Sequence, residues 1–419
     1  MKPIIGMLAL APTIVLCASV ASAQEIKIWT LVQEGMPEFM EGTISTFEAA
    51  NPGVTVVNES FPNEAYKTQI QVALTGSAPP DVFFNWAGED AARLVRDGLA
   101  ADISAYGASG YAKTVGEGWL SSFAFDGANY GVPTDAVSKY FYYDPAFFSD
   151  NDLSVPETFD EFLATCQAIR TIDSSIVPWP LGNSERWKLN HVITMLNQRV
   201  LGLDALAADY ALTAPDDELF TNPGYVEAWQ KVVDMQDAGC FQDAPNATSP
   251  EASRSMFAAQ VSPMIYCGTW CGNIFQAEGY EDFEMFRFPA LTDGAGDPGG
   301  QFLVPQGYMV SSKSEHPELA AAFISHIVSD EGARDFAEQI GGIVSNPALI
   351  DEVDGTRWFK FFVSDIATAT ESVNVIDVLL DASVANAYLD AGVEILNGTM
   401  TPEDAMTTIR EAALAAKSG

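Results

Sequence analysis

Short apolar runs alternate with amphipathic segments over the first quarter of the chain. The apolar runs have the length and the β-branched and aromatic content of strands, and they lie at 25–30, 54–60 and 81–84. Apolar residues recur at helical spacing in the segments that follow them, at 39–54, 65–79 and 89–99. This order, β-α-β-α-β-α, predicts a parallel sheet that is covered by helices.

The remainder of the chain continues the α/β pattern. Asp126-Gly127 predicts a hairpin turn, and a strand is expected at 139–144. The helix at 158–170 opens with a capping box, Thr158 to Glu161. Later strands are expected at 262–267, 284–291 and 299–312, and helices at 316–329, 331–341 and 401–417. No soft linker interrupts the pattern, which favours domains joined by more than one crossing.

Composition and charge limit the cellular compartment and the binding partners that are expected for this chain. The chain has 419 residues, 48% of them hydrophobic, and a formal net charge of −37, which excludes nucleic acid and anionic membranes as expected partners. Residues 1–23 have a basic start, an apolar run and an Ala-Ser-Ala end, the pattern of a cleaved signal peptide. We therefore expect an exported, periplasmic protein.

The cysteines left after cleavage are Cys166, Cys240, Cys267 and Cys271. In an oxidising compartment they can form disulfides, and one bond from Cys240 to either Cys267 or Cys271 is expected. Cys166, within a helical pattern, is expected to be a small buried hydrophobic residue.

Motifs for nucleotide or metal chemistry are missing from the sequence. It contains no GxxxxGK[ST] loop, no GxGxxG after a strand and no HExxH, and the chain has 3 His. No metal, cofactor or catalytic residue is therefore expected. A glycan hydrolase needs only two placed carboxylates, so an exported hydrolase stays a remote alternative.

Tryptophans stand after several predicted strands, where open α/β sheets bind their ligands. They are Trp29, Trp86, Trp187, which follows the strand or extended segment at 176–183, and Trp270. An indole face packs against the C–H face of a sugar ring, while Glu89 and Arg186 beside these positions can bond hydroxyls. Each tryptophan could instead fill a gap between helix and sheet.

Several segments together resemble a known family, the extracellular solute-binding proteins of family 1. They include FEAANPGVTV, YKTQIQVALTGSAPPDVFF, DGANYGVPTDAVSKYFYYDPAFF, SMFAAQVSPMIYCGTW and HPELAAAFISHIVSDEGARDFAEQIGG. The resemblance implies the carbohydrate-binding subunit of an ABC importer, a monomer that carries a mono- to trisaccharide to membrane permease subunits. It implies an α/β fold of two lobes (type II), each with a mainly parallel sheet flanked by helices and joined by a multi-segment hinge.

The resemblance also implies lobe limits and site residues. The N-terminal lobe is expected at 24–134 and 289–343, and the C-terminal lobe at 135–288 and 344–419, with crossings near 133–137, 288–289 and 342–345. The family motifs place Trp86, Glu89, Trp270, Asp135 and Tyr140 at the ligand. A polyol, a sugar phosphate or another anionic sugar, met by Arg186 and Lys188, is the alternative ligand.

Overall fold

The computed structural model describes residues 24–349, 352–353 and 355–418. The predicted signal peptide at 1–23 lies outside the described residues. No helix in these ranges is long and apolar enough to cross a bilayer.

The strands are β1 (Gln24–Leu31), β2 (Val54–Phe61), β3 (Val82–Trp86), β4 (Ala124–Phe125), β5 (Ala128–Asn129), β6 (Gly131–Val137), β7 (Lys139–Tyr143), β8 (Met264–Gly268), β9 (Glu284–Phe286), β10 (Gly300–Phe302), β11 (Val304–Val310), β12 (Ile343–Val344) and β13 (Glu371–Val373).

The helices are α1 (Met36–Ala50), α2 (Asn63–Thr75), α3 (Glu89–Arg96), α4 (Ser104–Gly107), α5 (Glu117–Leu120), α6 (Pro145–Asp150), α7 (Phe159–Ile172), α8 (Trp187–Leu201), α9 (Leu203–Tyr210), α10 (Gly224–Asp237), α11 (Pro250–Ala258), α12 (Cys271–Ala277), α13 (Pro317–Ile327), α14 (Asp330–Gln339), α15 (Arg357–Ile366), α16 (Ile376–Leu379), α17 (Ala382–Leu396) and α18 (Pro402–Ser418).

The first lobe, called the N-lobe below, is built on a sheet of order β12-β6-β11-β3-β1-β2. Strand β1 pairs in parallel with β2 and β3, which confirms the predicted β-α-β-α-β-α unit. Strands β11, β6 and β12 then add to the sheet in antiparallel pairs. Ile26 and Ile28 of β1 and Phe39 of α1 are buried in the core beside this sheet because each element turns its apolar residues to it.

The second lobe, the C-lobe, has a smaller sheet of order β8-β7-β9. Both pairs are antiparallel, so the expectation of a mainly parallel sheet in each lobe is wrong for this one. In the N-lobe sheet only the two pairs made by β1 are parallel, and the other three are antiparallel. The C-lobe sheet is antiparallel because β7 arrives directly from β6 and lies between β8 and β9, which both run against it. A separate hydrophobic core, with helices α7, α8, α10 and α17, packs around this sheet.

The chain passes between the lobes more than once, which confirms the multi-segment hinge. Ser138 alone separates β6 of the large sheet from β7 of the small one. The chain returns to the large sheet through β10 and β11, although Phe302 of β10 is buried in the C-lobe core. After β12 it enters α15, whose Trp358 packs in the C-lobe core.

Two local predictions from the sequence are confirmed. Thr158 and Glu161 form the reciprocal capping box at the start of α7. Strands β4 and β5 form a hairpin, and both turn residues, Asp126 and Gly127, have positive φ angles of 51° and 82°. Such a turn matches the twist of the flanking strands, which explains the Asp-Gly signal.

The predicted disulfide from Cys240 to Cys267 or Cys271 is wrong. Cys166 of α7 is bonded to Cys240, and Cys267 is bonded to Cys271, with Cα–Cα distances of 5.0 and 6.1 Å. Cys166 is therefore not a free thiol. Helix α7 brings it to the segment after α10, where Arg170 of the same helix donates to the Gly239 carbonyl at 2.8 Å. Helix packing, which spacing along the chain does not reveal, selects these partners.

Candidate functional site

Trp86 stands where the two lobes meet. It ends β3 and contacts the hydrophobic cores of both lobes while staying partly exposed. Phe84 packs edge-on against its ring with centroids 4.9 Å apart, and Tyr66 lies at 6.4 Å. The Nζ of Lys67 in α2 lies 5.5 Å from the ring centre. A large aromatic face is thus presented by the N-lobe at the lobe interface.

Lys67 links this face to the C-lobe. Its Nζ lies 3.7 Å from Oδ2 of Asp377 in α16 and 3.3 Å from Oε1 of Glu64. Burial acts to lower the pKa of Lys67, but these two carboxylates outweigh it and raise that pKa above its ordinary value. The ammonium therefore stays charged and forms an ion pair between the lobes.

His191 of α8 continues the contacts into the C-lobe. Its Nε2 lies 3.8 Å from Oδ1 of Asp377, and its ring packs between Trp187 and Phe302, each at 5.1 Å. Burial, followed by the nearby charge of Lys139, depresses the pKa of His191 well below its usual value. The imidazole is neutral, so it contributes hydrogen-bonding capacity rather than charge.

An aromatic cage surrounds the amine of Lys139 in β7. Its members are the rings of Trp187, Tyr266, Trp270 and Phe302, whose centres lie 4.9, 5.3, 5.8 and 5.9 Å from Nζ. The side chain is fully buried, and among the described residues its Nζ has no hydrogen-bond partner. Burial lowers the pKa of Lys139 well below the value of an exposed lysine.

A second buried amine, that of Lys188, adjoins the cage. Its Nζ lies 4.8 Å from the Trp187 ring centre and 3.6 Å from Sγ of Cys267. Burial, reinforced by the positive charge of Arg254, lowers the pKa of Lys188 to about 7. Two buried amines therefore lie beside the Trp187 ring in the C-lobe.

Trp270 is held in the cage by its neighbours in the chain. It precedes α12 in the segment Gly268-Thr269-Trp270, which the Cys267–Cys271 disulfide closes into a short ring. A Cβ at Gly268 would lie 1.9 Å from the Trp270 ring, so only glycine allows the indole to fold back over β8. The disulfide and the glycine together fix the position of the indole.

Two of the predicted site residues in the N-lobe lie apart from Trp86. Trp29 packs on Phe61 with ring centres 4.5 Å apart. Phe61 in turn lies 6.3 Å from Tyr66, so Trp29 is separated from Trp86 by other rings of the same lobe. Glu89, the first residue of α3, forms an ion pair with Arg96, the last residue of the same helix, about two turns further along.

Asp135 and Tyr140 are both buried at the strands that join the lobes. Asp135 accepts hydrogen bonds from the Thr134 hydroxyl at 2.9 Å and from the Gln306 amide at 3.0 Å. Burial raises its pKa to about 7 against the effect of these donors. Tyr140 donates to Oδ2 of Asp365 at 3.0 Å in the C-lobe core. The structure brings neither side chain to the cage.

Arg186 lies at the surface on the outer side of α8. Its guanidinium donates to Oδ1 of Asp390 at 2.6 Å, and the side chain is 40% exposed. It is turned away from Trp187, which is 9% exposed and donates from Nε1 to Glu185 at 2.8 Å. Of the predicted set, Trp86, Trp187 and Trp270 are the ones joined through the contacts of Lys67, Asp377, His191 and Lys139.

A cavity of about 690 Å³ opens beside these contacts, also between the lobes. Its volume lies in the range of small-ligand sites. Glu89 and Arg96 of α3 line its N-lobe side, and Thr194, Tyr210 and Asn374 line its C-lobe side. Most of its other lining is apolar, and the cage tryptophans do not line it. The cavity and the cage are thus distinct features of one interface.

Sequence reasoning missed Lys139, His191, Asp377 and Lys67. Lys139 stands next to Tyr140, which was selected, but a lysine at a strand start ordinarily indicates an exposed position. Asp377 lies in the apolar stretch NVIDVLL, and a carboxylate inside such a stretch was an available signal for a buried polar role.

The sequence profile of the bacterial extracellular solute-binding proteins matches residues 42–363. The chain is 23% identical over 327 residues to the "Multiple sugar-binding protein" of Streptococcus mutans, covering 74% of this chain and 72% of that protein. No metal-binding cluster of His, Cys, Asp or Glu occurs in the part of the chain that the structure describes.

Solved structures share the fold. One, from work on xylan utilisation by Caldanaerobius polysaccharolyticus, superposes with a TM-score of 0.86 at 22% identity and covers 92% of this chain and 99% of its own. A chitin oligosaccharide binding protein superposes with a TM-score of 0.84 at 19% identity, over 94% of this chain and 100% of its own. At these identities the likeness concerns the two-lobed fold alone.

Proposed function

Because the chain belongs to the bacterial extracellular solute-binding proteins, we propose that it captures a sugar of one to three units between its lobes and delivers it to an ABC importer. One observation carries this proposal: aromatic faces from both lobes, Trp86 on one side and Trp187 with Trp270 on the other, converge on the lobe interface. Aromatic faces suit the apolar faces of sugar rings.

Buried polar groups in the segments that carry the C-lobe rings support a ligand rich in hydroxyls. The amide of Asn190 and the hydroxyls of Tyr266 and Thr269 are buried, and within the described residues they have no hydrogen-bond partner. Buried polar groups are normally bonded, so unpaired ones need a specific partner. Sugar hydroxyls, which both donate and accept, would supply it. The names of the Streptococcus and chitin oligosaccharide relatives agree with a sugar.

The proposal includes the rest of the transport role. The chain acts as a monomer in the periplasm, with lobes at 24–134 and 289–343 and at 135–288 and 344–419, and presents its closed form to permease subunits. It binds without turnover. Incubation with chromogenic glycosides is therefore expected to release no chromophore, whereas an exported hydrolase would release it.

Tryptophan fluorescence and calorimetry with a sugar panel test the proposal. The panel contains galactose, maltose, cellobiose, xylobiose and chitobiose, together with the acidic sugars named below. At least one member is expected to bind and to change the fluorescence. Trp358→Phe is the matched control because Trp358 is buried against Phe283 in the C-lobe core. The absence of binding to every sugar, neutral and acidic, would refute the proposal.

A further inference from the structure

The cations and carboxylates around the cage do not balance. The nearby carboxylates pair with other groups, although Oδ1 of Asp377 has no hydrogen-bond partner among the described residues. Asp377 and Glu64 pair with Lys67, Glu251 pairs with Arg254 at 3.0 Å, and Glu185 accepts from the Trp187 indole at 2.8 Å. The amines of Lys139 and Lys188 are left over: in the described ranges no carboxylate forms an ion pair with either of them.

Two buried amines side by side are costly when both are charged. Lys139 is 0% and Lys188 3% exposed, so water does not compensate their charge. A buried ammonium without a counter-charge is strongly disfavoured, and ring faces replace only part of the lost hydration. A folded protein that keeps two such amines together is best explained by a ligand that brings the missing negative charge.

Resting on the proposed function, we propose that the ligand is an acidic sugar, whose anionic group is bound by the amines of Lys139 and Lys188 while its ring packs on the cage tryptophans. A carboxylate and a phosphate both offer the oxyanion that an ammonium binds. Arg186, at the surface with Asp390, takes no part. The sequence predicts Arg186 and Lys188 as the residues that would bind an anionic ligand. The proposal retains Lys188 and replaces Arg186 with Lys139.

The groups around the two amines also act on their charge. Burial is the main cause that lowers the pKa of both lysines; the positive charges of Lys188 and Arg254 add to it at Lys139, and that of Arg254 adds to it at Lys188. Asp377 opposes the shift at Lys139, and Glu251 and Glu185 oppose it at Lys188. The amine of Lys188, with a pKa of about 7, can therefore be neutral near pH 7. An arriving anion would favour the ammonium form, so binding should take up a proton.

Calorimetry with matched sugars tests the inference. The full mature chain is titrated with galacturonate against galactose, glucuronate against glucose, and glucose-6-phosphate against glucose. At least one acidic sugar is expected to bind about tenfold or more tighter than its neutral counterpart. Comparison of the uronates with the hexose phosphate identifies which oxyanion is preferred. Titrations in two buffers of different ionisation enthalpy are expected to reveal net proton uptake.

Lys139→Met assigns the effect to the cage. This variant removes the charge and keeps the length, so it should abolish the acidic preference and the proton uptake. Lys231→Met is the matched control, since Lys231 also lies over a ring, Phe159 at 5.5 Å, but outside the site. Thermal unfolding confirms folding, and Lys188→Met gives a second variant if Lys139→Met does not fold.

The possible failures are distinguishable. Neutral sugars that bind as tightly as acidic ones overturn this inference and leave the proposed function standing. An acidic preference that survives both lysine substitutions also overturns it. No binding of any sugar would refute the inference together with the proposed function.

Discussion

The two faces of the lobe interface differ in how their charges are satisfied. On the N-lobe face, Lys67 is paired with carboxylates and Glu89 with Arg96. On the C-lobe face, Lys139 and Lys188 form no ion pair with a carboxylate of the described residues and lie among aromatic rings. The charges of the N-lobe face are thus paired, Lys67 with Asp377 of the C-lobe among others, whereas the two amines of the C-lobe face are not. We therefore expect the C-lobe to dominate ligand affinity and the N-lobe to close over the ligand.

The two lobes also differ in their disulfides, because both disulfides in the described residues lie in the C-lobe. The Cys166–Cys240 bond spans 74 residues and the Cys267–Cys271 bond spans 4. In the chain-entropy account, a long closed loop stabilises more than a short one. The first bond should therefore stabilise the lobe, while the second should mainly position Trp270.

The largest expected effect is on stability. Replacing both Cys166 and Cys240 by Ala should lower the free energy of unfolding by about 4 kcal/mol, whereas the Cys267→Ala/Cys271→Ala variant should lose about 2 kcal/mol. Urea denaturation followed by circular dichroism measures both. Hydrogen exchange should locate the loss in the C-lobe. An equal loss in the N-lobe would contradict the division between the lobes.

The next effect is on affinity. Trp270→Ala should weaken the best-binding sugar of the panel by about 2 kcal/mol or more, roughly 30-fold, because a buried aromatic anchor is removed. Trp86→Ala should weaken the affinity for the same sugar about tenfold, since this change removes only the aromatic face that the N-lobe closes over the ligand. Calorimetry measures both, with Trp86→Phe expected to retain most of the affinity. A larger loss for Trp86→Ala would reverse the proposed roles of the two faces.

A third test concerns the strand that leads from one lobe to the other. Burial raises the pKa of Asp135 to about 7 from its ordinary value of 3.8. Between pH 3.8 and about pH 7 the folded chain keeps a proton on Asp135 that the unfolded chain releases. The free energy of unfolding therefore falls as the pH rises from 3.8 to about 7. Asp135→Asn should remove this decline, worth up to about 1.4 kcal/mol per pH unit.

Denaturation of both proteins at intervals from pH 4 to pH 8 measures the difference. The Asn variant should gain relative stability as pH rises, and the gain should level off above about pH 7. Asp81→Asn serves as a control at an aspartate directly before β3, whose carboxylate accepts from the Lys27 backbone and the Ser314 hydroxyl. Parallel curves for the native chain and Asp135→Asn would show that Asp135 is ionised in the fold.

The sequence predicts the N-lobe better than the C-lobe for a physical reason. The strands β1 to β3 alternate with helices along the chain, so local periodicity carries their arrangement. In the C-lobe sheet, β7 is separated from β8 by more than a hundred residues, and pairing across that distance leaves no local pattern. The antiparallel pairs and the partner of Cys166, 74 residues away, could not be predicted for the same reason.

The residues of the candidate site also differ in whether the sequence alone predicts them. Trp86, Trp187 and Trp270 could be selected because each has a local sign, a position after a strand or extended segment. Lys139 and Asp377 could not, because their role depends on which charges tertiary packing places beside them. Residue type and position in an element are enough to predict which aromatic rings belong to the site. Which charges balance one another can be predicted only when the tertiary structure is known.

The smallest expected effect concerns the ion pair between the faces. Lys67 is 30% exposed and its Asp377 partner 8%, so solvent screening limits the pair to about 1 kcal/mol, roughly fivefold in the closed-to-open ratio. Lys67→Met should therefore increase the radius of gyration of the empty protein in X-ray scattering. Lys27→Met, which removes only an exposed contact with Glu25 on the same strand, should leave it unchanged. If Lys67→Met also leaves it unchanged, the packing of α3 against α16 holds the faces together without the charge pair.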